Sequence, residues 1–285
     1  MKESIFEIVS NRVLNATVSE MILTGDTSAL SRPGQFVNVK LDGLYLRRPI
    51  SVCDDDEKSL TLVYRAVGEG TRRMRAMGAG EKLNLLVGLG NGYDTALAGE
   101  VPLLVGGGVG VPPLFHLARK LIGEGKRVRV LLGFRNKADV FYEEEFKALG
   151  ASVTVVTEDG SYGRRGNVCM PLGELFDAGR RFDKVITIGP LIMMKFVTEL
   201  TRPTGIPCVV SMNPIMIDGT GMCGGCRLTL NSDGKRVTKF ACVDGPDFNG
   251  YEVDFDEAMS RGGMYRTFER HEYEKTCNLF GEVKD

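Results

Sequence analysis

Asp218, Cys223, Cys226 and Cys242 are the residues of this chain best spaced to do chemistry. Four residues separate Asp218 from Cys223, two separate Cys223 from Cys226, and fifteen separate Cys226 from Cys242. This is the ligand spacing of a plant-type [2Fe-2S] loop with Asp in place of the first Cys. Thiolates and carboxylates both bind iron. Gly219, Gly221, Gly224 and Gly225 fall in the same run, and glycines let a backbone wrap closely around an inorganic cluster and aim N–H groups at its sulfurs. Three thiols and a carboxylate also suit a structural Zn²⁺, and Cys-x-x-Cys is shared with zinc ribbons and redox motifs. The x4/x2 spacing and the glycines favour the cluster. Asp218 is expected as its first ligand, the alternative being an Asp that bonds its own turn backbone. Harder oxygen in place of sulfur should alter the cluster potential.

A second group of residues suits phosphates. Leu103-Leu-Val-Gly106-Gly107-Gly108-Val109-Gly110 follows an apolar strand and opens a helix, so its N–H groups and helix dipole can receive a pyrophosphate. It is not a GxGxxG fingerprint, and glycines at strand ends also make plain turns. Gly189-Pro190 and Thr157-Glu158-Asp159-Gly160 end two further strands at the carboxyl edge of a sheet, where open α/β sheets bind ligands. Upstream, Arg48-Pro49-Ile50-Ser51 closes a strand and Gly68-Glu69-Gly70-Thr71 begins a short helix. Separately these read as a strand-edge break and a helix start. Together they offer a guanidinium and a helix N-terminus to a second diphosphate, as FAD requires.

The elements that must carry these residues follow two patterns. From Ile5 to about Asp94 the chain alternates as β-strands: IFEIVSNRVL, ATVSEMIL, GQFVNVKL, LRRPISVC, SLTLVYRAV and KLNLLVGL, which predicts a closed antiparallel barrel. From Val101 the runs VPLLVGG, RVRVLLGF, ASVTVVTE, DKVITIG and PCVVSMN alternate with amphipathic helices, which predicts a parallel sheet with crossover helices. The expected fold class is thus α/β plus β, with a barrel over residues 1–97, a nucleotide domain over 98–207 and a cluster region with its tail over 208–285.

Composition narrows the setting. The chain has 285 residues, 43% hydrophobic, 36 Gly, and a net charge of −1, which gives no electrostatic case for nucleic acid or an anionic membrane. No apolar run is long enough to span a bilayer, and MKESIFEIVS lacks the features of a signal peptide, so a cytoplasmic protein is expected. Seven Cys, three of them in the loop, do not read as a secreted disulfide framework. Cys53, Cys169 and Cys208 are expected in apolar, strand-like core positions, while Cys277 carries no reading. With only His116 and His271, histidine chemistry is not expected, and His116 fits a packed helix.

The order RPIS, VYRAVGEGT, GLGNGYD, GGGVGVPPL, GFRNKADVFY, IGPLIMM and a C-terminal cluster loop resembles the ferredoxin-reductase-like flavoproteins across nearly the whole chain. Two branches are similar: the electron-transfer subunits of dihydroorotate dehydrogenase B, which carry four Cys ligands, and the small subunits of NADH-dependent ferredoxin:NADP+ oxidoreductases. The latter have Asp at the first ligand position and a segment after the last Cys, as here. In many members a Cys precedes the Gly-Pro turn; here Ile188 stands there, so no thiol is assigned beside a nicotinamide.

The resemblance implies FAD, NAD(H) and a [2Fe-2S] cluster. Arg48 would face the FAD diphosphate, within Arg48-Pro49-Ile50-Ser51, and Ser51 would hydrogen-bond near the reactive flavin nitrogen. Val63, Tyr64 and Arg65 would line the flavin or its ribityl chain, and Gly70 and Thr71 would hold phosphates. Gly107, Gly108 and Val109 would approach NAD(H), Gly189 and Pro190 would close that pocket, and Glu158 would meet the ribose. Asp218, Cys223, Cys226 and Cys242 would hold the cluster. No catalytic acid or base is expected. A larger iron–sulfur flavoprotein subunit, with ferredoxin reached through it, is the implied partner. Readings of another class are a redox-sensing module and a zinc-stapled binding subunit.

Overall fold

The computed structural model describes residues 1–264. Six strands, β1 (Lys2–Val13), β2 (Val18–Thr24), β3 (Phe36–Lys40), β4 (Arg48–Asp55), β5 (Ser59–Arg65) and β6 (Lys82–Leu89), close an antiparallel barrel in the order β1-β2-β5-β4-β3-β6. Alternation of side chains sets which face is inside. On β5, Leu62 and Tyr64 join the barrel interior with Phe6, Met21, Val37, Val39, Leu85 and Val87, whereas Val63 packs outside. One helix, α1 (Glu69–Ala76), fills the connection between β5 and β6. Its start is fixed by Thr71, whose hydroxyl accepts from the amides of Val67 and Gly68 at 3.0 and 3.2 Å.

The second body is a sheet laid down as β7 (Pro102–Gly107), α2 (Val111–Gly123), β8 (Arg129–Phe134), α3 (Glu143–Ala148), β9 (Ser152–Thr157), β10 (Arg164–Arg165), α4 (Cys169–Asp177), β11 (Lys184–Ile188), α5 (Leu191–Thr201) and β12 (Cys208–Ser211). Strand order is β10-β9-β8-β7-β11-β12, all parallel. Prolines at the first turn of α2 need no amide partner there, which is where a helix tolerates them. The sheet runs past residue 207, because Val185, Ile186 and Thr187 on β11 pair with Cys208, Val209 and Val210 on β12.

The third body is a hairpin, β13 (Arg227–Ser232) and β14 (Lys235–Phe240), followed by β15 (Asp247–Asn249) and α6 (Phe255–Gly263). Asp233 and Gly234 both have positive φ, 50° and 72°, as a two-residue turn between twisted strands requires. Antiparallel pairing of β15 with β12 fastens this body to the edge of the parallel sheet. Cys226, Cys242, Leu228 and Phe255 share one core with Leu103, Val105, Val185 and Val210 of the sheet and with Phe36 of the barrel.

The barrel is held on the sheet by α2 and the loop before α3. His116 Nε2 meets Asp55 Oδ1 at 2.9 Å, and Arg119 meets Asp54 Oδ1 at 2.5 Å. His116 therefore packs in a helix, as its sequence pattern implies, with a carboxylate opposite. Tyr142 is left-handed, with φ 66°. Its buried hydroxyl donates to Glu20 Oε2 at 2.7 Å and accepts from Cys53 Sγ at 3.2 Å. Glu20 is itself 5% exposed and bound by Arg12 at 2.5 Å. Removing a donor from a buried polar group costs about 1–3 kcal/mol. Tyr142→Phe should lower stability to chemical denaturant by about that amount, and an unchanged denaturation midpoint would show that water replaces the hydroxyl.

Candidate functional site

A cavity of about 860 Å³ opens at the carboxyl edge of the parallel sheet, between it and the barrel. Its barrel wall is Asn15, Thr17, Val18 and Arg65; its sheet wall includes Gly107, Gly108, Val109, Glu158 and Pro190. Two glycines shape the floor. A Cβ on Gly107 would stand 2.5 Å from Met193 Sδ, and one on Gly189 would stand 2.6 Å from Met193 Cε and 3.1 Å from the Gly107 amide. The ends of β7 and β11 thus lie close together under the Met193 side chain, where a Cβ at either glycine would force Met193 to move. Gly189 forms the support of this floor while Pro190 reaches the cavity itself.

The sequence assigns no role to several lining residues. Arg135 and Asp139 line the cavity and pair with each other at 2.7 Å. Met193, Phe196 and Leu200 present one face of α5, an i, i+3, i+7 stripe that hydropathy alone assigns to core. Cys169 corrects the strand-like expectation: it opens α4, half-buried on the cavity wall, with its amide bound to Asn167 Oδ1 at 3.0 Å. Burial pushes its thiol pKa up. Arg164 is bound to Glu174 at 2.5 and 2.7 Å, and Asp159 is folded onto Ser161. Of the acids ending β9, Glu158 is the one on the cavity wall.

A second set converges on the N-terminus of α1. A Cβ on Gly70 would collide with the Arg48 guanidinium, so the absence of a side chain at Gly70 lets Arg48 lie across the helix start. Burial, and then the charge of Arg73, lower the Arg48 pKa. Arg73 itself pairs with Glu69 at 2.6 Å, so the Arg48 guanidinium and the helix N-terminus are the features here that attract an anion. Pro49 and Ser51 are exposed beside it and Ile50 is half-buried. Three expected contacts change character. The Tyr64 ring is inside the barrel, 2% exposed, with its hydroxyl on Asn11 Oδ1 at 3.0 Å, and Val63 is buried against the sheet domain. Only their backbone can touch a ligand, while Arg65 is exposed. The Thr71 hydroxyl is consumed by the helix cap.

The loop 218–226 is pressed onto the barrel. Cys226 Sγ and Cys242 Sγ lie 3.2 Å apart and buried, and Cys223 is exposed. Burial and the neighbouring Cys226 push the Cys242 thiol up to about 12, and a metal bound there takes thiols as thiolates, so binding releases protons. Asp218 Oδ1 accepts the Thr220 amide at 2.8 Å and Oδ2 the Cys223 amide at 3.1 Å. Burial opposes its ionisation, and these amides override it and hold the carboxyl below the ordinary carboxylate range. Asp218 therefore bonds its own turn while standing next to Cys223. Among the described residues no group of three or more His, Cys, Asp or Glu converges as a single-ion site. Cys226 and Cys242 thus form a buried pair, with Asp218 half-buried and Cys223 exposed on the outer side of the loop.

A nucleotide sheet, a barrel with a cationic helix start and a thiol-bearing lobe define an iron–sulfur oxidoreductase of the ferredoxin-reductase-like fold. Residues 104–199 match the oxidoreductase NAD-binding domain, and residues 213–254 match the iron–sulfur cluster binding domain of dihydroorotate dehydrogenase B. The dihydroorotate dehydrogenase B electron transfer subunit homolog of Thermotoga maritima is 42% identical, covering 88% of each chain. The electron transfer subunit of Bacillus pumilus is 38% identical, covering 89% of this chain and 98% of its own. The solved structure of an NADH-dependent reduced ferredoxin-NADP oxidoreductase superposes with a TM-score of 0.85 at 37% identity, over 95% of this chain and 98% of that one. A ferredoxin reductase of carbazole 1,9a-dioxygenase, 20% identical with a TM-score of 0.63 over 72% of this chain and 67% of its own, shares the fold. The chain belongs to the family of dihydroorotate dehydrogenase B electron-transfer subunits. It is an electron-transfer oxidoreductase subunit for NAD(H), FAD and an iron–sulfur cluster. Among the described residues no helix is long and apolar enough to cross a membrane.

One carboxyl lies where all three bodies meet. Asp247 is near Gly34 and Tyr93 of the barrel side, and its Oδ2 is sealed without a partner among the described residues. Burial raises its pKa to about 6, with a hydrogen bond from Ser211 offsetting part of the effect. The native state therefore holds this proton more tightly than the unfolded chain, whose value is 3.8. The stabilisation is full below that value and is lost as pH rises through about 6, by on the order of 3 kcal/mol at most. Asp247→Asn should be more stable than the parent at pH 8 and no more stable at pH 4; equal stability difference at both pH values would exclude this titration.

Proposed function

We infer that this chain is the small subunit of an NADH-dependent ferredoxin:NADP+ oxidoreductase, acting in the cytoplasm with a larger iron–sulfur flavoprotein. The observation that carries the choice is the superposition on the NADH-dependent reduced ferredoxin-NADP oxidoreductase structure, with a TM-score of 0.85 at 37% identity over 95% of this chain and 98% of that one. Asp218 at the first ligand position agrees with that branch. The second reading, an electron-transfer subunit of dihydroorotate dehydrogenase B, is favoured by the 42% identity to the Thermotoga maritima homolog.

In this reading each expected residue has a place. Arg48, with the N-terminus of α1 at Gly70 and Thr71, holds the FAD diphosphate, the Thr71 contribution coming from its backbone. Pro49, Ile50 and Ser51 and the backbone of Val63, Tyr64 and Arg65 border the flavin ring and ribityl chain. Gly107, Gly108 and Val109 receive the NAD(H) pyrophosphate, Gly189 and Pro190 close the floor, and Glu158 accepts from the ribose hydroxyls. Cys226 and Cys242 form the inner ligand pair of the [2Fe-2S] cluster and Asp218 and Cys223 the outer pair. When bound, the pyridine nucleotide supplies hydride, FAD takes up the electron pair and the cluster passes electrons singly. The protein positions these groups, excludes water between them and needs no proton donor of its own at the nicotinamide.

Two measurements test the reading. The complex purified with its partner should reduce NADP+ when given NADH and reduced ferredoxin, and should not oxidise dihydroorotate; orotate formation would transfer the chain to the second reading. The isolated chain with an artificial dye should prefer NADH over NADPH in kcat/KM, because Glu158 faces the cavity and Arg164 is bound to Glu174. A carboxylate favours a ribose diol and repels a 2′-phosphate. Equal kcat/KM values would mean that Arg135 or Arg165 meets the phosphate instead.

A further inference from the structure

Asn38 sits in the middle of β3, in the sequence Phe36-Val37-Asn38-Val39, and all four residues are buried. Val37 and Val39 point into the barrel core, while Phe36 belongs to the core that contains Cys226 and Cys242. Asn38 shares the face of Phe36, since side chains alternate along a strand. Its side chain is fully buried, at 0% exposure, and Nδ2 donates to the Asp218 carbonyl at 2.8 Å across 180 residues of sequence. Its Oδ1 is buried without a partner among the described residues. The orientation of the amide is fixed by chemistry, because a carbonyl only accepts and the flipped amide would set oxygen against oxygen. A buried polar side chain with half its hydrogen-bonding capacity idle is unfavourable, so packing does not account for an amide at this place.

The contact has a defined geometry on both sides. Gly219, with φ 79°, brings the loop so near that an added Cβ would lie 3.2 Å from Asn38 Nδ2 and 3.3 Å from Leu89 Cδ1. On the barrel, Asn38 is paired with Pro49 of the Arg48–Ser51 segment, and its carbonyl accepts from Arg47 at 3.2 Å. The backbone at 218 is thereby anchored to the strand next to the proposed flavin segment. The side chain growing from that backbone is the carboxylate that reaches the Cys223 amide.

We propose that Asn38 is a positioning residue for the iron–sulfur cluster: its amide fixes the Asp218 backbone, sets where the Asp218 carboxylate stands, and registers the outer ligand pair against the flavin-bearing strands. This rests on the reading of Asp218 as a ligand. Partners that orient a metal ligand without touching the metal typically change metal affinity by about 10- to 100-fold when removed.

The test uses the full chain loaded with FAD and cluster. Asn38→Leu keeps the branched shape, with two methyls in place of the amide, and removes the donor; Asn38→Thr has a similar volume but is shorter, so its hydroxyl falls short of the Asp218 carbonyl. Either variant should retain FAD and the NADH-to-dye rate of the parent. In the dithionite-reduced state its electron paramagnetic resonance g values and midpoint potential should move, and iron should be lost to a chelator about 10-fold faster. A variant with parental FAD content, parental g values and parental iron release overturns the proposal, and having two substitutions guards against one failing to fold. Asp218→Ala is measured beside them. If it shifts the g values and the Asn38 variants do not, the positioning role alone fails. If Asp218→Ala leaves them unchanged, Asp218 is not a ligand, and the proposal falls with that reading.

Discussion

The hydrogen bond from Tyr142 to Glu20 is the constraint on which the cavity depends. Glu20 is a nearly buried carboxylate on the outer face of the barrel. A buried charge is tolerable only when paired and hydrogen-bonded. Arg12 supplies the charge from the barrel and Tyr142 the second donor from the sheet domain. To deliver that hydroxyl, Tyr142 adopts a left-handed backbone, which is unfavourable for a non-glycine residue. Its ring is held edge-on by Phe115 and Phe141 at 5.1 and 6.0 Å. The two domains could slide only by stripping Glu20 of its partner. Interfaces between domains of one chain generally permit such motion, and this one is pinned additionally by His116 and Arg119 on α2. The walls of the cavity, Arg65 on one side and Gly107 on the other, are therefore held at a fixed separation.

Strand β3 performs the same service on the opposite side of the barrel. Because it is buried on both faces, its inner residues close the barrel while its outer residues receive the cluster lobe. The same lobe is tied to the parallel sheet through β15 and β12. Three bodies laid down in succession along the chain thus touch pairwise, and none can move without disturbing a buried contact with both others. What is left open is the outer edge of the cluster loop. Met222 is 89% exposed there, beside exposed Cys223.

The elements were legible because their patterns are local. Six alternating runs became six barrel strands, and the apolar runs after Val101 became the parallel sheet, since period-2 alternation and two-face burial each leave a clear mark in sequence. The glycines that mattered were legible too, as Gly70, Gly107 and Gly189 all mark close approach. What was not legible is where a side chain's second contact lies. Tyr64 and Thr71 stand in the expected segments, but a strand alternation and a helix cap turned their side chains away from a ligand. Cys169 reads as one more apolar residue until α4 starts at it. Asn38 reads as the outward polar position of an ordinary half-exposed strand, and only the return of the chain 180 residues later buries it. The β13–β14 hairpin had a signal, Asp233-Gly234, that predicts a tight turn.

Asp218 joins these levels. In a loop with four glycines, a cluster-binding segment held only by its metal would fold only when loaded, as small metal domains do. Here the carboxylate accepts two amides of its own loop. A thiolate or thiol at 218 would be a weaker acceptor for both. Asn38 then donates to the carbonyl of the same residue, so backbone and side chain of Asp218 are each held by hydrogen bonds. The buried pair, Cys226 and Cys242, is placed independently by the core it shares with Phe36 and the sheet. The part of the lobe nearest the core is thus built by packing and the outer loop by hydrogen bonds to one carboxylate, so Asp218 is the residue that lets the outer loop hold its shape.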